Sequence, residues 1–222
     1  MTRIIKNMRD GHHLNSAYWQ NYKNALPPLP PFLVEAAIGM LLGDASMYRV
    51  STHALIKFEQ GYQQLAFISH LFELFAQYCF MTELGVRMTL SGPRIGLIKS
   101  YWFKTFSHPS FTAIWDLFYV DGKKIILAGL VLNHVTAVSL AYWIMCDGSL
   151  NGNTMILHTQ GFSLDENMII SSELNQKFGF NSGVIPHKNK YWVVRIPAAN
   201  AGVLRDLISP YMIPSMLYKV PK

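Results

Sequence analysis

The chain has 222 residues, of which 50% are hydrophobic, 13% aromatic and 14% charged, with a formal net charge of +6. That composition excludes intrinsic disorder and supplies apolar surface for one large domain or two small ones. Two cysteines, Cys79 and Cys146, are too few for a secreted disulfide scaffold and lack the paired spacing of a structural zinc site, which favours a reducing compartment.

The first 31 residues carry four bases, one acid and Pro27, Pro28, Pro30 and Pro31, and read as an N-terminal arm ending in a stiff proline segment. His12 and His13 belong to that arm rather than to a metal site. No apolar h-region opens the chain, so no secretory signal is expected, while import into an organelle stays open. Four segments, 46–60, 86–106, 149–160 and 181–196, are rich in β-branched and aromatic residues and are broken by turn signals such as Ser91-Gly92-Pro93 and Asn151-Gly152-Asn153. Between them lie apolar stripes at helical spacing: Leu65, Ile68, Leu71, Phe72 and Phe75; Phe111, Ile114, Trp115 and Phe118; Met168, Ile169, Ser172 and Leu174; Val203, Leu204, Leu207 and Ile208. Each stripe is read as the face a helix buries on a sheet. The run from Ile125 to Cys146 has no Asp, Glu, Lys or Arg and is long enough to span a bilayer. Asn133, His134, Thr136 and Ser139 within it and Asp147 at its end favour a buried core helix, with Thr136 as N-cap. Asn133-His134 has no partner ligands at nuclease spacing and reads as the loop leading into that helix.

The four strand segments hold Arg49, Lys57, Arg87, Arg94, Lys99, Lys104, Lys188, Lys190 and Arg195 against the single acid Glu59, so they carry more than the whole positive balance of the chain. A sheet face studded with Lys and Arg supplies the phosphate-binding part of nucleic-acid affinity. Tyr101, Trp192 and His158 add flat or polar groups that reach bases. Basic edge strands also block aggregation, but acids would then be mixed among them.

Two apolar helices stop on an acid: residues 35–45 end in Gly43-Asp44-Ala45, and residues 139–148 end in Cys146-Asp147-Gly148. A carboxylate at a helix C-terminus faces the negative end of the macrodipole, so stability does not put it there. Gly39 and Gly43, helped by Ala37 and Ala141, form a bare stripe that lets the two helices approach closely. Packed so, Asp44 and Asp147 repel one another unless protonated or bridged by a cation. Oxygen ligation suggests magnesium.

These paired helices, ending Gly-Asp-Ala-Ser and Cys-Asp-Gly-Ser, resemble the two defining motifs of LAGLIDADG homing endonucleases, in the single-chain, group I intron-encoded organellar form. Members commonly carry a second acid where this chain has Cys146. An internal repeat extends the resemblance from Phe32 onward: Asp44, Gln60-Gly61-Tyr62 and Lys124, then Asp147, Gln160-Gly161-Phe162 and Lys219. The resemblance implies an α/β (α+β) fold of two pseudo-symmetric αββαββα halves, residues 32–132 and 133–222, whose antiparallel sheets form a DNA-binding saddle.

It further implies a mitochondrial, soluble, monomeric enzyme that cuts both strands of a DNA target to leave short 3′ overhangs. Magnesium is the implied cofactor, with manganese substituting. Asp44 and Asp147 match the metal-binding acids, with Gly43, Ala45 and Cys146 flanking them. Lys124 and Lys219 would offset negative charge in the transition state, Gln60 and Gln160 would orient water, and Glu59 would act in the first half. The competing reading is an RNA-binding maturase of the host intron, which the same basic surface would serve without nuclease activity.

Overall fold

The computed structural model describes residues 13, 15–188 and 190–222, so the expectation for His12 lies outside them. Helix α1 (Ala17–Ala25) starts on Ser16, whose hydroxyl accepts the Trp19 N–H. Trp19 is buried against Phe106, and the Tyr78 hydroxyl donates to the carbonyls of Pro27 and Pro28. The Leu29 N–H donates to Ser110 Oγ. The described part of the arm is therefore docked, with its proline carbonyls satisfied by a buried tyrosine.

Helix α2 (Pro31–Leu42) begins on proline, whose missing N–H costs nothing at a first helical position. After it come β1 (Ser46–Val50), β2 (His53–Gly61), α3 (Leu65–Leu74), β3 (Gly85–Met88), β4 (Ile98–Lys104) and α4 (Pro109–Phe118). A short hairpin, β5 (Tyr119–Val120) with β6 (Lys123–Lys124), and a five-residue helix α5 (Leu130–His134) lead to the second copy. That copy is α6 (Ala137–Asp147), β7 (Gly148–Asn151), β8 (Thr154–Leu157), α7 (Leu164–Phe178), β9 (Gly183–His187), β10 (Tyr191–Ile196) and α8 (Ala201–Ile208). The order αββαββα thus occurs twice, and the two antiparallel sheets share one topology, β1-β2-β4-β3 and β7-β8-β10-β9.

The compact units do not follow the repeat boundaries. One comprises Met1–Leu33 with Ala45–Ala113, the other Val34–Asp44 with Ile114–Lys222. The reason is the glycine stripe: the acid-ending helix of the first copy packs on that of the second. A Cβ on Gly39 would lie 2.2 Å from the Ser139 carbonyl oxygen, so the helices meet backbone to backbone. Thr136 caps α6 by accepting the Ser139 N–H, as predicted, and its hydroxyl donates to Glu35 of α2.

In the first unit, Ala54, Ile56 and Phe58 of β2 and Phe103 of β4 are buried on the side covered by α3, where Phe58 packs on Phe75 and Phe103 on Phe72. In the second, Met155, Leu157, Val194 and Ile196 are buried on the side of α7. The buried side of α7 is Asn167, Ile170, Ser171, Glu173 and Leu174, whereas Met168 is 56% exposed, a correction to the predicted stripe. The shift follows from polar residues: Asn167 is buried because it donates to the carbonyls of Thr159, Phe162 and Ser163, and Glu173 because it accepts the N–H groups of Gly129 and Leu132.

The uncharged run is divided between the linker, α5 and α6, and among the described residues no helix is long and apolar enough to cross a membrane. Asn133-His134 closes α5, just before the turn into α6.

Candidate metal centre and nucleic-acid faces

The second unit gathers the chemistry at the C-terminal ends of α2 and α6. Asp44 lies just beyond α2 and is exposed, while Asp147 is the last residue of α6 and is half-buried. One donor atom from each of Asp44, Asp147 and Cys146 lies within 4.8 Å of the other two. Burial, then repulsion from Asp44, pushes the Asp147 carboxyl up to about 7, against the pull of Lys219 and Lys124.

Each lysine of the repeat caps one of the two helices. The Lys124 ammonium donates to the carbonyls of Leu41 at 2.7 Å and Gly43 at 3.2 Å. Lys219 donates to those of Ile144 at 3.2 Å, Met145 at 2.7 Å and Cys146 at 3.5 Å. Both therefore satisfy carbonyls that a helix end leaves open and set positive charge at the negative end of the dipole. Burial lowers both ammonium pKa values, and the electrostatic influence of Cys146, Asp147 and Asp44 opposes that change. Lys124 is held by the β5–β6 hairpin, whose Asp121-Gly122 turn takes positive φ at both residues, 49° and 74°. Asp-Gly is a type I′ hairpin signal, and it marks this lysine's position in the sequence.

The fit of a cation rests on the donor set. Two carboxylates that repel one another, with a sulfur beside them, suit one divalent ion at ordinary ligand distances of about 2.0–2.6 Å. Gly43 contributes space, since a Cβ there would lie 2.7 Å from Cys146 Sγ and 3.1 Å from Asp147 Oδ2. Its carbonyl is engaged by Lys124, and Ala45 is a buried apolar residue.

Other predicted residues are distributed differently. Gln60 is buried on the core side of β2, whereas Gln160 is exposed just past β8, so they are not a matched pair. The Gln160-Gly161-Phe162 segment does reach the site, with Lys124 Nζ 5.9 Å from the Phe162 ring centre. Glu59 lies on the outward side of its sheet, paired with Lys57 and Arg87 and accepting from Ser100. Burial raises its pKa, but Lys57 and Ser100, then Arg87, outweigh burial and hold it below the usual carboxylate range. Those contacts make it an organiser of the basic face.

Register sorts the nucleic-acid candidates. Lys57 pairs across from Lys104, and Arg87 from Ser100, so Lys57, Lys104 and Arg87 share the outward side of the first sheet. Tyr101 pairs with Gln60 and Arg49 with Ala54, which places both of these DNA-contact candidates on the helix side of the sheet. Trp102, which the sequence pattern did not reveal, takes the outward place beside Lys104. Lys99 is exposed at the β-bulge opposite Arg87 and Met88, and Arg94, in the β3–β4 turn, stacks on Tyr62.

In the second sheet, Arg195 pairs with Ile156, is exposed, and shares the outward side with Tyr191 and His187. His158 continues that side, its ring 2.8 Å from Ser149 Oγ and its backbone N–H donating to the Asp147 carbonyl. Trp192, named from sequence as a DNA contact, shares the helix side with Val194 and Ile196 and lines a groove with Leu164 and Met168. Lys188 and Lys190 are exposed in the β9–β10 turn.

Residues 34–203 match the LAGLIDADG DNA endonuclease family. The chain is 57% identical over 133 residues to the probable intron-encoded DNA endonuclease 3 of Mycosarcoma maydis, covering 57% of this chain and 97% of that protein. It is 33% identical to the probable intron-encoded endonuclease 1 of Wickerhamomyces canadensis, over 99% of this chain and 98% of that one. Among solved structures, the homing endonuclease I-WcaI bound to its DNA recognition sequence superposes with a TM-score of 0.86 at 32% identity, covering 95% of both chains. With both acid-ending helices in place, the chain belongs to the LAGLIDADG DNA endonuclease family, in its two-motif form.

Proposed function

We propose that this chain is a monomeric, site-specific endonuclease of double-stranded DNA, encoded within an organellar group I intron and acting in the mitochondrion. It hydrolyses one phosphodiester in each strand to leave short 3′ overhangs, with magnesium as cofactor and manganese as substitute. The observation that carries this reading is the pair of carboxylates held at two backbone-packed helix ends, each helix capped by a lysine, Lys124 half-buried and Lys219 buried.

Asp44 and Asp147 would hold the divalent cation, which supplies Lewis acidity and neutralises phosphate charge when bound. Lys124 and Lys219 keep positive charge beside the acids, where negative charge grows on the phosphorus oxygens. Lys57, Arg87, Lys104 and Arg195 bind phosphates and base edges from the outward sheet sides, which supports a duplex partner. Engagement of the intron RNA would use the same charge.

The test is cleavage of the intronless exon junction in magnesium, with calcium as a non-supporting ion. Wild type should make double-strand cuts, and Asp44→Asn and Asp147→Asn should bind the same DNA without cutting it. Unaltered cleavage in both variants would sink the assignment. Tight binding without cutting by wild type, together with rescue of host-intron splicing, would make the chain a maturase.

A further inference from the structure

Cys146 is the residue of this site that the metal chemistry of two aspartates leaves unexplained. It is half-buried in the last turn of α6, and its Sγ accepts the Asp44 N–H at 3.1 Å. The sulfur occupies the space that Gly43 leaves open, converging with Asp147 Oδ2 where a side chain on residue 43 would stand. Sulfur and the two carboxylates form one cluster within 4.8 Å, drawn from both acid-ending helices.

We infer that Cys146 Sγ is a third protein ligand of the metal site, so that thiophilic divalent cations such as cadmium, zinc or cobalt bind there more tightly than magnesium, which remains the ion that supports cleavage. The inference rests on the metal reading of Asp44 and Asp147 and adds the basis of metal choice. Carboxylate oxygens alone favour magnesium, calcium or manganese, and a thiolate added to them moves preference to softer ions. Binding breaks the S–H bond, forms a sulfur–metal bond and releases the proton to solvent, with no change of oxidation state. Two helices fix the donors before the ion arrives, so little ordering is needed on binding.

The test titrates the full chain with cadmium chloride, following sulfur-to-metal charge-transfer absorbance and thermal unfolding, with calcium chloride in parallel. Wild type should develop the absorbance with one cadmium per chain. Cys146→Ser should lose it although Cys79 remains, and should bind cadmium at least about 100-fold more weakly. Calcium should still raise the unfolding temperature of Cys146→Ser, which establishes that the variant is folded and its oxygen ligands are intact. Cys146→Asp makes the donor set all oxygen, and should bind calcium more tightly than wild type without the sulfur absorbance. Cadmium bound by wild type without the absorbance, or bound equally by Cys146→Ser, overturns the sulfur ligand and leaves the carboxylate site standing. If no divalent ion changes wild-type unfolding, the metal reading falls and the sulfur ligand with it.

Discussion

Gly39→Ala tests whether the close approach of α2 and α6 holds the site together. Its Cβ would lie 2.2 Å from the Ser139 carbonyl oxygen and 3.0 Å from Tyr142 Cβ. A carbon–oxygen contact needs about 3.3 Å, so the two backbones must part by about 1 Å. The oxygen belongs to a helix and cannot rotate away as a side chain would. Overpacking of this kind costs about 1–3 kcal/mol, and a rigid backbone clash stands at or above the upper end. Alanine in place of glycine within a helix returns about 1 kcal/mol, leaving a net loss of about 2 kcal/mol or more. For a chain of this size the unfolding midpoint should fall by about 4–8 °C. Asp44 and Asp147 terminate the same two helices, and a displacement near 1 Å at a catalytic constellation costs about 100-fold in rate. Calorimetry and single-turnover cleavage at saturating magnesium measure both effects. Gly202→Ala is the control, because its Cβ would meet nothing nearer than Arg205 at 3.8 Å, and it should be neutral or stabilising. A Gly39→Ala protein that melts no lower than wild type and cuts at the wild-type rate would refute the argument.

Three further outcomes follow from the site and the sheets. The Asp147 carboxyl is raised from 3.8 to about 7, so the folded metal-free protein binds more protons than the unfolded chain between those values, and its stability falls as pH rises through that window. Asp147→Asn should therefore raise metal-free stability at pH 8 by a few kcal/mol, because each pH unit of that window is worth about 1.4 kcal/mol, while abolishing cleavage; equal melting of the two proteins at pH 8 would contradict this. Lys219→Met leaves buried carbonyls at the end of α6 without their donor and should cost about 2–3 kcal/mol in denaturant unfolding, with Lys219→Arg recovering part of it. Arg195→Ala should weaken DNA binding and flatten its salt dependence by about one unit of slope if it contacts phosphate, whereas Arg49→Ala, on the helix side, should leave the slope unchanged in filter-binding titrations.

Residues with few alternatives were the legible ones. The acid at the end of each apolar helix and the lysine after each four-stranded sheet recur in order, and with Gly39 and Gly43 they fall at one site, because a helix pair that close is built from small residues. Side assignment was legible too, but only through strict alternation. Lys104 facing outward takes Trp102 and Ser100 with it and sends Tyr101 and Phe103 inward, and Arg195 and Trp192 cannot share a side, being an odd number of residues apart in one strand. Choosing candidates by chemistry rather than parity grouped Tyr101, Trp192 and Arg49 with Lys104 and Arg195, although the register sets them on the opposite side. Other features lay beyond any local pattern. The capping role of Lys219 depends on carbonyls more than seventy residues away in sequence, and the buried side of α7 is set by hydrogen bonds to Thr159 and Gly129 rather than by hydropathy.

The same geometry explains why the site accepts an unfavourable arrangement. Two carboxylates stand at the ends of two helices, and for Asp147 burial and then repulsion from Asp44 oppose ionisation. Lys124 and Lys219 offset part of that cost, but their ammonium groups are committed to helix carbonyls and are themselves raised in energy by burial. A full proton transfer from lysine to aspartate would leave the carbonyls without a charged donor, so the lysines stay as fixed positive charge instead of neutralising the acids. The residual repulsion is then relieved by something from outside the chain. A divalent cation held as proposed between the helices would relieve it most completely, which would tie metal affinity to the closeness of α2 and α6 and make the glycine stripe as much a part of the chemistry as the aspartates.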